Sequence, residues 1–147
     1  MKRIGLLGCG AKGTQIAIAI DTGIIQAQLT HIFDTDKKTA ENLLTKLKQK
    51  PIIVENVHLL SSNPVDLIVE AASQQAVNDN ALSILQNRRD LMVMSAGALL
   101  DESVFEIISD ACSEFKKTVY LPSGAISGVD AITVSYTHLT LPTIYSV

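Results

Sequence analysis

The stretch Gly8-Cys9-Gly10-Ala11-Lys12-Gly13 has the pattern G-x-G-x-x-G, which alone is a weak signal because glycines can fall at this spacing by chance. Its surroundings make it informative. The apolar residues 4–7 before it are typical of a buried parallel strand, and residues 15–20 after it are typical of a helix. A strand, a glycine loop and a helix in this order predict a unit that binds a dinucleotide.

Each glycine of the loop has a physical role in that interpretation. Gly8 lets the chain turn sharply out of the strand, and Gly10 lets the backbone come close to a pyrophosphate. Gly13 allows the helix to pack tightly against the strand. The N–H groups at the helix start, which carry roughly half a positive charge, then face the phosphates. The alternative is a glycine turn that binds no ligand.

Asp34 follows the second predicted strand and lies 21 residues after Gly13. An acid at this distance is typical of a carboxylate that accepts hydrogen bonds from the adenosine ribose. Its charge repels a 2′-phosphate, so NAD is favoured and NADP remains possible, because Thr35, Lys37 and Lys38 could soften the preference. The alternative is that Asp34 only caps the next helix.

Apolar runs of strand length alternate with stretches of helical period along most of the chain. Strands are predicted at residues 3–7, 28–33, 52–54, 65–69, 91–94 and 118–121, and helices at residues 11–21, 37–48, 75–87 and 102–116. In the last helix, Val104, Ile107, Ile108, Ala111 and Phe115 are predicted to face the core. Residues 57–64 have no clear period, and Ser61-Ser62-Asn63-Pro64 predicts a turn. This α/β order predicts a Rossmann-type, doubly wound parallel sheet.

Small residues follow three of the other predicted strands, in Ala71-Ala72-Ser73, Ser95-Ala96-Gly97 and Ser123-Gly124-Ala125. Ligands of open parallel sheets bind beyond the carboxyl ends of the strands. Small side chains there leave room for a flat cofactor, although they also suit tight turns that bind nothing. Their recurrence at one edge of the sheet favours a ligand site.

Composition excludes several classes of function. The net charge is −3 and the basic residues form no stripe, so nucleic-acid binding is not expected. The two cysteines form no C-x-x-C pair, no metal-binding spacing of the three histidines is present, and no G-x-S-x-G elbow indicates a serine hydrolase. No signal peptide or bilayer-length apolar run is visible, so we expect a reduced, cytoplasmic protein without a membrane partner.

Four stretches of the chain carry a resemblance to a known family. They are Gly8-Cys9-Gly10-Ala11-Lys12-Gly13, Val69-Glu70-Ala71-Ala72-Ser73-Gln74-Gln75-Ala76-Val77, Ser95-Ala96-Gly97-Ala98 and Ser123-Gly124-Ala125-Ile126-Ser127-Gly128-Val129-Asp130-Ala131. They resemble the N-terminal half of the L-aspartate dehydrogenases. The resemblance implies oxidation of L-aspartate to iminoaspartate with NAD or NADP, in a possible homo-oligomer. The product would enter NAD biosynthesis or be hydrolysed to oxaloacetate.

The resemblance also implies which residues bind the cofactor. The pyrophosphate would be held by Gly8, Gly10, Ala11, Lys12 and Gly13, and the ribose by Asp34. The path toward the nicotinamide would be lined by Ala71, Ala72, Ser73, Ala96 and Gly97, and Ala125 would contact the cofactor through its backbone. Lys12 departs from the family, which usually has an apolar residue there.

The resemblance covers about residues 1–134, which we expect to be the dinucleotide-binding domain. It implies a second, substrate domain with a catalytic histidine that this chain lacks, so no catalytic residue is assigned and the chain alone is expected to be inactive. Residues 135–147 do not resemble the family and are interpreted as read-through or a disordered tail, or alternatively as a native strand and terminus. Other hypotheses are an oxidoreductase similar to homoserine dehydrogenase or dihydrodipicolinate reductase, and a stand-alone, non-enzymatic NAD-binding module.

Overall fold

Strands and helices alternate along residues 1–122, the part of the chain that this computed structural model describes. The strands are β1 (Arg3–Leu7), β2 (Gln28–Phe33), β3 (Ile52–Ile53), β4 (Leu67–Glu70), β5 (Asp90–Val93) and β6 (Val119–Tyr120). The helices are α1 (Ala11–Asp21), α2 (Lys37–Thr45), α3 (Val57–Ser62), α4 (Gln74–Gln86) and α5 (Glu102–Phe115), with a 3-10 helix at Ala96–Leu100. Ala125 and the predicted tail at residues 135–147 lie outside the described residues.

The six strands form one parallel sheet in the order β3-β2-β1-β4-β5-β6, which confirms the predicted Rossmann-type fold. From β1 the strands are added toward β3 on one side, and from β4 toward β6 on the other, so the boundary between β1 and β4 is the switch point at which such sheets bind ligands. Leu7 pairs with Phe33 on one side and with Glu70 on the other. The three segments that leave these strands therefore begin side by side at the carboxyl edge.

Apolar side chains cover both faces of the sheet, as a parallel sheet requires. Ile68 belongs to the core beneath α3, α4 and α5, whereas its neighbours Leu67 and Val69 belong to the core beneath α1 and α2. Helix α4 buries four apolar residues at helical spacing, Val77, Ala81, Ile84 and Leu85. Within residues 1–122, no helix has the length and apolar character needed to cross a membrane.

The irregular segment and turn predicted for residues 57–64 are wrong in part, because helix α3 occupies Val57–Ser62. The Asn56 side chain caps its start by accepting a hydrogen bond from the Leu59 N–H at 2.7 Å. At its end, the Arg89 guanidinium donates to the Ser61 and Asn63 carbonyls at 2.9 and 3.1 Å. Six residues are too few to show a period, and the partner that completes the helix lies on a distant segment.

Two other details also differ from expectation. Helix α2 ends at Thr45 rather than at residue 48, because the Asp21 carboxylate accepts hydrogen bonds from the Lys48 and Gln49 N–H groups at 2.8 and 3.0 Å. These bonds turn the chain toward β3 before the helix can continue. On α5, Ile107 is 50% exposed rather than part of the inner face.

His31 in β2 makes stability dependent on pH. Its side chain is 8% exposed, and burial lowers its pKa from the ordinary value of 6.5. The folded protein therefore holds His31 neutral where the unfolded chain binds a proton, so the free energy of unfolding should fall as pH drops below about 6.5. Urea unfolding across this range should show the loss, and His31→Gln should flatten it. An equally steep loss in that variant would contradict the assignment.

Candidate dinucleotide-binding site

The glycine loop begins where β1 ends. Gly8 has a φ of +104°, a conformation that L side chains rarely adopt, and its N–H donates to the Phe33 carbonyl at 2.8 Å. A Cβ at this position would lie 2.6 Å from the Ala71 carbonyl oxygen. Glycine is therefore required at position 8 both by the turn and by the backbone that crosses next to it.

The other two glycines differ in their surroundings. A Cβ on Gly13 would lie only 2.0 Å from the Gly8 carbonyl oxygen, so the first turn of α1 packs directly on the loop. A Cβ on Gly10 would meet no atom within 4 Å. Because Gly10 is also the N-cap of α1 and has no side chain, the N–H groups of the first turn receive no side-chain cap from it. The loop thus leaves open space beside a helix N-terminus, which fits a phosphate group.

Asp34 connects the end of β2 to the glycine loop. One carboxylate oxygen accepts a hydrogen bond from the Cys9 N–H and the other accepts one from the Asp36 N–H, both at 2.8 Å. The cap of α2 is Asp36, whose side chain accepts from the Lys38 N–H at 3.0 Å. Asp34 therefore does not cap the helix, and its partly exposed carboxylate is held at the carboxyl edge of the sheet.

Two hollows flank the loop. A cleft of about 230 Å³ lies between the ends of β1 and β2 and the start of α4, and it brings together Gly8, Asp34, Ala72 and Ser73. A hollow of about 430 Å³ lies between α1 and α2 and includes Gly10 and Ala11. The exposed Lys12 lines neither hollow.

Polar residues of α4 also line the cleft, and the sequence reasoning missed them. Gln75 donates to the Asp79 carboxylate at 2.8 Å, and both residues line the same cleft as Asp34. Their spacing of four residues on a helix that starts at a predicted strand end was the available signal.

Glu70, at the end of β4, also received no role from the sequence. Its side chain is only 1% exposed, and its carboxylate accepts hydrogen bonds from the Ala72 N–H at 2.8 Å, the Ser95 N–H at 2.9 Å and the Ser95 hydroxyl at 2.7 Å. These bonds join the segments that follow β4 and β5. An acid at the end of an otherwise apolar strand was the signal.

The predicted residues on these two segments differ in exposure. Ala72 and Ser73 are exposed and Gly97 is partly so, whereas Ala71 and Ala96 are buried. A ligand at this edge would therefore meet mainly Ala72, Ser73 and Gly97, because Ala71 is 7% and Ala96 0% exposed. Ser73 also caps α4, by accepting a hydrogen bond from the Ala76 N–H at 3.0 Å.

Cys9 is a packing residue of the loop rather than a nucleophile. Burial, reinforced by the Asp34 charge, raises its pKa to about 12, and burial raises the pKa of Cys112 to about 11. Both thiols should therefore react with a disulfide reagent at pH 8 at least about a hundredfold more slowly in the native chain than in urea, because the thiolate is the reactive form. Rapid labelling of one thiol in the native chain would contradict this assignment.

Within the described part of the chain, no three His, Cys, Asp or Glu side chains lie close enough together to hold a metal ion. The polar groups at the carboxyl edge are instead backbone N–H groups, carboxylates and hydroxyls. Their chemistry suits the binding and orientation of phosphate and ribose groups.

Comparison with known proteins identifies relatives of this chain. Residues 8–122 match the family described as "Homoserine dehydrogenase, NAD binding domain". L-aspartate dehydrogenases from Nitrosopumilus maritimus and Methanocella arvoryzae are 64% and 42% identical to the chain, each over 132 residues. These matches cover 90% of this chain and 48% of each relative, so the chain spans about half the length of the curated relatives it matches.

Solved structures agree on the fold. The WlbA dehydrogenase from Bordetella pertussis, crystallised with NADH and UDP-GlcNAcA, has a TM-score of 0.67 at 20% identity, with 81% of this chain and 36% of that chain covered. A probable dehydrogenase from Thermotoga maritima has a TM-score of 0.72 at 18% identity, with 81% and 35% covered. At these identities the likeness establishes the Rossmann-type architecture.

Proposed function

Since the chain belongs to the family of homoserine dehydrogenase NAD-binding domains, we propose that it is the cofactor-binding part of an NAD(P)-dependent L-aspartate dehydrogenase. Family membership supports NAD or NADP as the ligand, for which the glycine loop is the site that we propose. The identities of 64% and 42% to L-aspartate dehydrogenases support aspartate as the substrate of the whole enzyme. The two unpaired cysteines support a reducing, cytoplasmic setting.

The geometry of the glycine loop is the observation that carries the proposal. Gly8 and Gly13 are required by close backbone contacts, whereas the space beside Gly10 is free to 4 Å. The loop and the first turn of α1, with Ala11 and Lys12, would hold the pyrophosphate, and Asp34 would hold the ribose. Ala71, Ala72, Ser73, Ala96, Gly97 and Ala125 would line the path toward the nicotinamide. The cofactor supplies the hydride-accepting ring, and this chain binds and orients it.

Binding and activity are tested separately. Titration calorimetry of the 147-residue chain with NAD⁺ and NADP⁺ tests the cofactor site. The protein encoded by the complete reading frame is then assayed for NADH formation with L-aspartate and with homoserine. We expect a rate with L-aspartate; a rate with homoserine alone would favour the other oxidoreductase hypothesis. Binding without turnover of any amino acid by the complete protein would favour a non-enzymatic module.

A further inference from the structure

The charge of Glu70 is buried without a cationic partner. The carboxylate is 1% exposed and accepts its hydrogen bonds from two backbone N–H groups and one hydroxyl. The two ion pairs in the described part of the chain, Arg3 with Asp66 and Lys117 with Asp90, do not involve it. Burying a carboxylate is costly, so a residue of this kind calls for a reason beyond filling space.

Pairing of β4 with β5 does not need these bonds. The two strands are already in register along their whole length, from Leu67 opposite Asp90 to Glu70 opposite Val93. The Glu70 side chain acts beyond the strands, on Ala72 in one segment and Ser95 in the other. Those segments, residues 71–73 and 95–97, consist of small residues that have few atoms with which to fix each other's position.

We propose that Glu70 is a positioning residue that sets the spacing between residues 71–73 and 95–97, so that their backbones hold the nicotinamide half of the cofactor. This inference rests on the proposed function, because it needs a nicotinamide dinucleotide at the carboxyl edge. Glu70 itself is too deeply buried to touch the ligand, and it acts through Ala72 and Ser95.

The Glu70→Gln variant separates this role from a general contribution to stability. Glutamine has the same size, but its amide NH₂ group is a donor and cannot accept a hydrogen bond. In either orientation it faces the N–H group of Ala72 or of Ser95, so the segment that contains this N–H loses its hydrogen bond. We expect NAD⁺ affinity of the 147-residue chain to fall about tenfold, equivalent to about 1.4 kcal/mol. ADP-ribose lacks the nicotinamide and therefore makes no nicotinamide contacts that the variant could weaken. Its affinity for the variant should stay within about twofold of its affinity for the unchanged chain.

Two further variants complete the test. Asp90→Asn is the control. The Asp90 carboxylate accepts a hydrogen bond from the Thr118 N–H at 2.9 Å, at the edge of the sheet opposite the candidate site. This variant should change neither the NAD⁺ affinity nor the ADP-ribose affinity. Ser95→Ala removes one bond to Glu70 and should give the same selective loss, smaller in size, even if Glu70→Gln fails to fold.

Each outcome decides a different claim. Equal changes for NAD⁺ and ADP-ribose in both site variants, or no change, would overturn the positioning role while leaving the proposed function in place. Equal affinities of the unchanged chain for the two ligands would also overturn it, because the nicotinamide would then make no contact. Absence of binding of either ligand to the unchanged chain would refute the cofactor site itself.

Discussion

Alanine at position 13 is expected to destabilise the domain severely and to abolish dinucleotide binding. Its Cβ would lie 2.0 Å from the Gly8 carbonyl oxygen and 2.9 Å from the Gly8 carbonyl carbon. These are backbone atoms that cannot rotate away, so the start of α1 must move off the loop. We expect the free energy of unfolding to fall by about 3 kcal/mol, as in overpacked cores, measured by urea unfolding followed by circular dichroism.

Gly10→Ala is the matched control, because its Cβ would meet no protein atom within 4 Å and the Gly10 φ of −75° suits alanine. Stability should therefore fall by no more than about 1 kcal/mol, the cost of alanine in place of glycine at a helix N-cap. The methyl group occupies space that the pyrophosphate needs, so NAD⁺ binding should weaken. A Gly13→Ala chain with an unchanged unfolding midpoint and affinity would contradict the packing role of Gly13. A Gly10→Ala chain with unchanged affinity would contradict the close approach of the ligand at Gly10.

The elements around the glycine loop could be predicted to the residue. The bounds of β1, α1 and β2 coincide with those expected, because an apolar run, a glycine turn and an alanine-rich helix each carry a strong local signal. Helix α3 could not be found in this way. Its end depends on Arg89, which lies 28 residues after Ser61 in the sequence.

The same division applies to the candidate site. Asp34 and the small residues after β4 and β5 could be predicted as candidate site residues, because spacing and size are visible in a sequence. The role of Glu70 was not, since it depends on Ser95, 25 residues away, and a lone acid after an apolar run has several meanings. The bond from the Cys9 N–H to Asp34 is hidden for the same reason, at the same separation of 25 residues.

Asp34 is expected to determine the preference between NAD⁺ and NADP⁺. Its carboxylate is partly exposed and lines the cleft, where it can accept hydrogen bonds from ribose hydroxyls and repel a 2′-phosphate. Asp34→Ala should lower NAD⁺ affinity about tenfold or more, because bonds to charged groups contribute about 1.5–3 kcal/mol each. NADP⁺ should lose less, since the same change removes the repulsion, and calorimetry with both cofactors measures the ratio.

The carboxylate has two roles that one variant cannot separate, since it also accepts the Cys9 and Asp36 N–H groups at 2.8 Å. Asp34→Asn keeps an acceptor oxygen for one of these donors but removes the charge. If repulsion sets the preference, both variants shift the ratio toward NADP⁺ by similar factors; if Asp34 only anchors the loop, neither shifts it and both cofactors weaken together. Asp36→Ala is the control, because losing the α2 cap should cost about 1 kcal/mol of stability and leave the ratio unchanged. A ratio that moves only in Asp36→Ala would transfer the discrimination from the Asp34 charge to the position of α2.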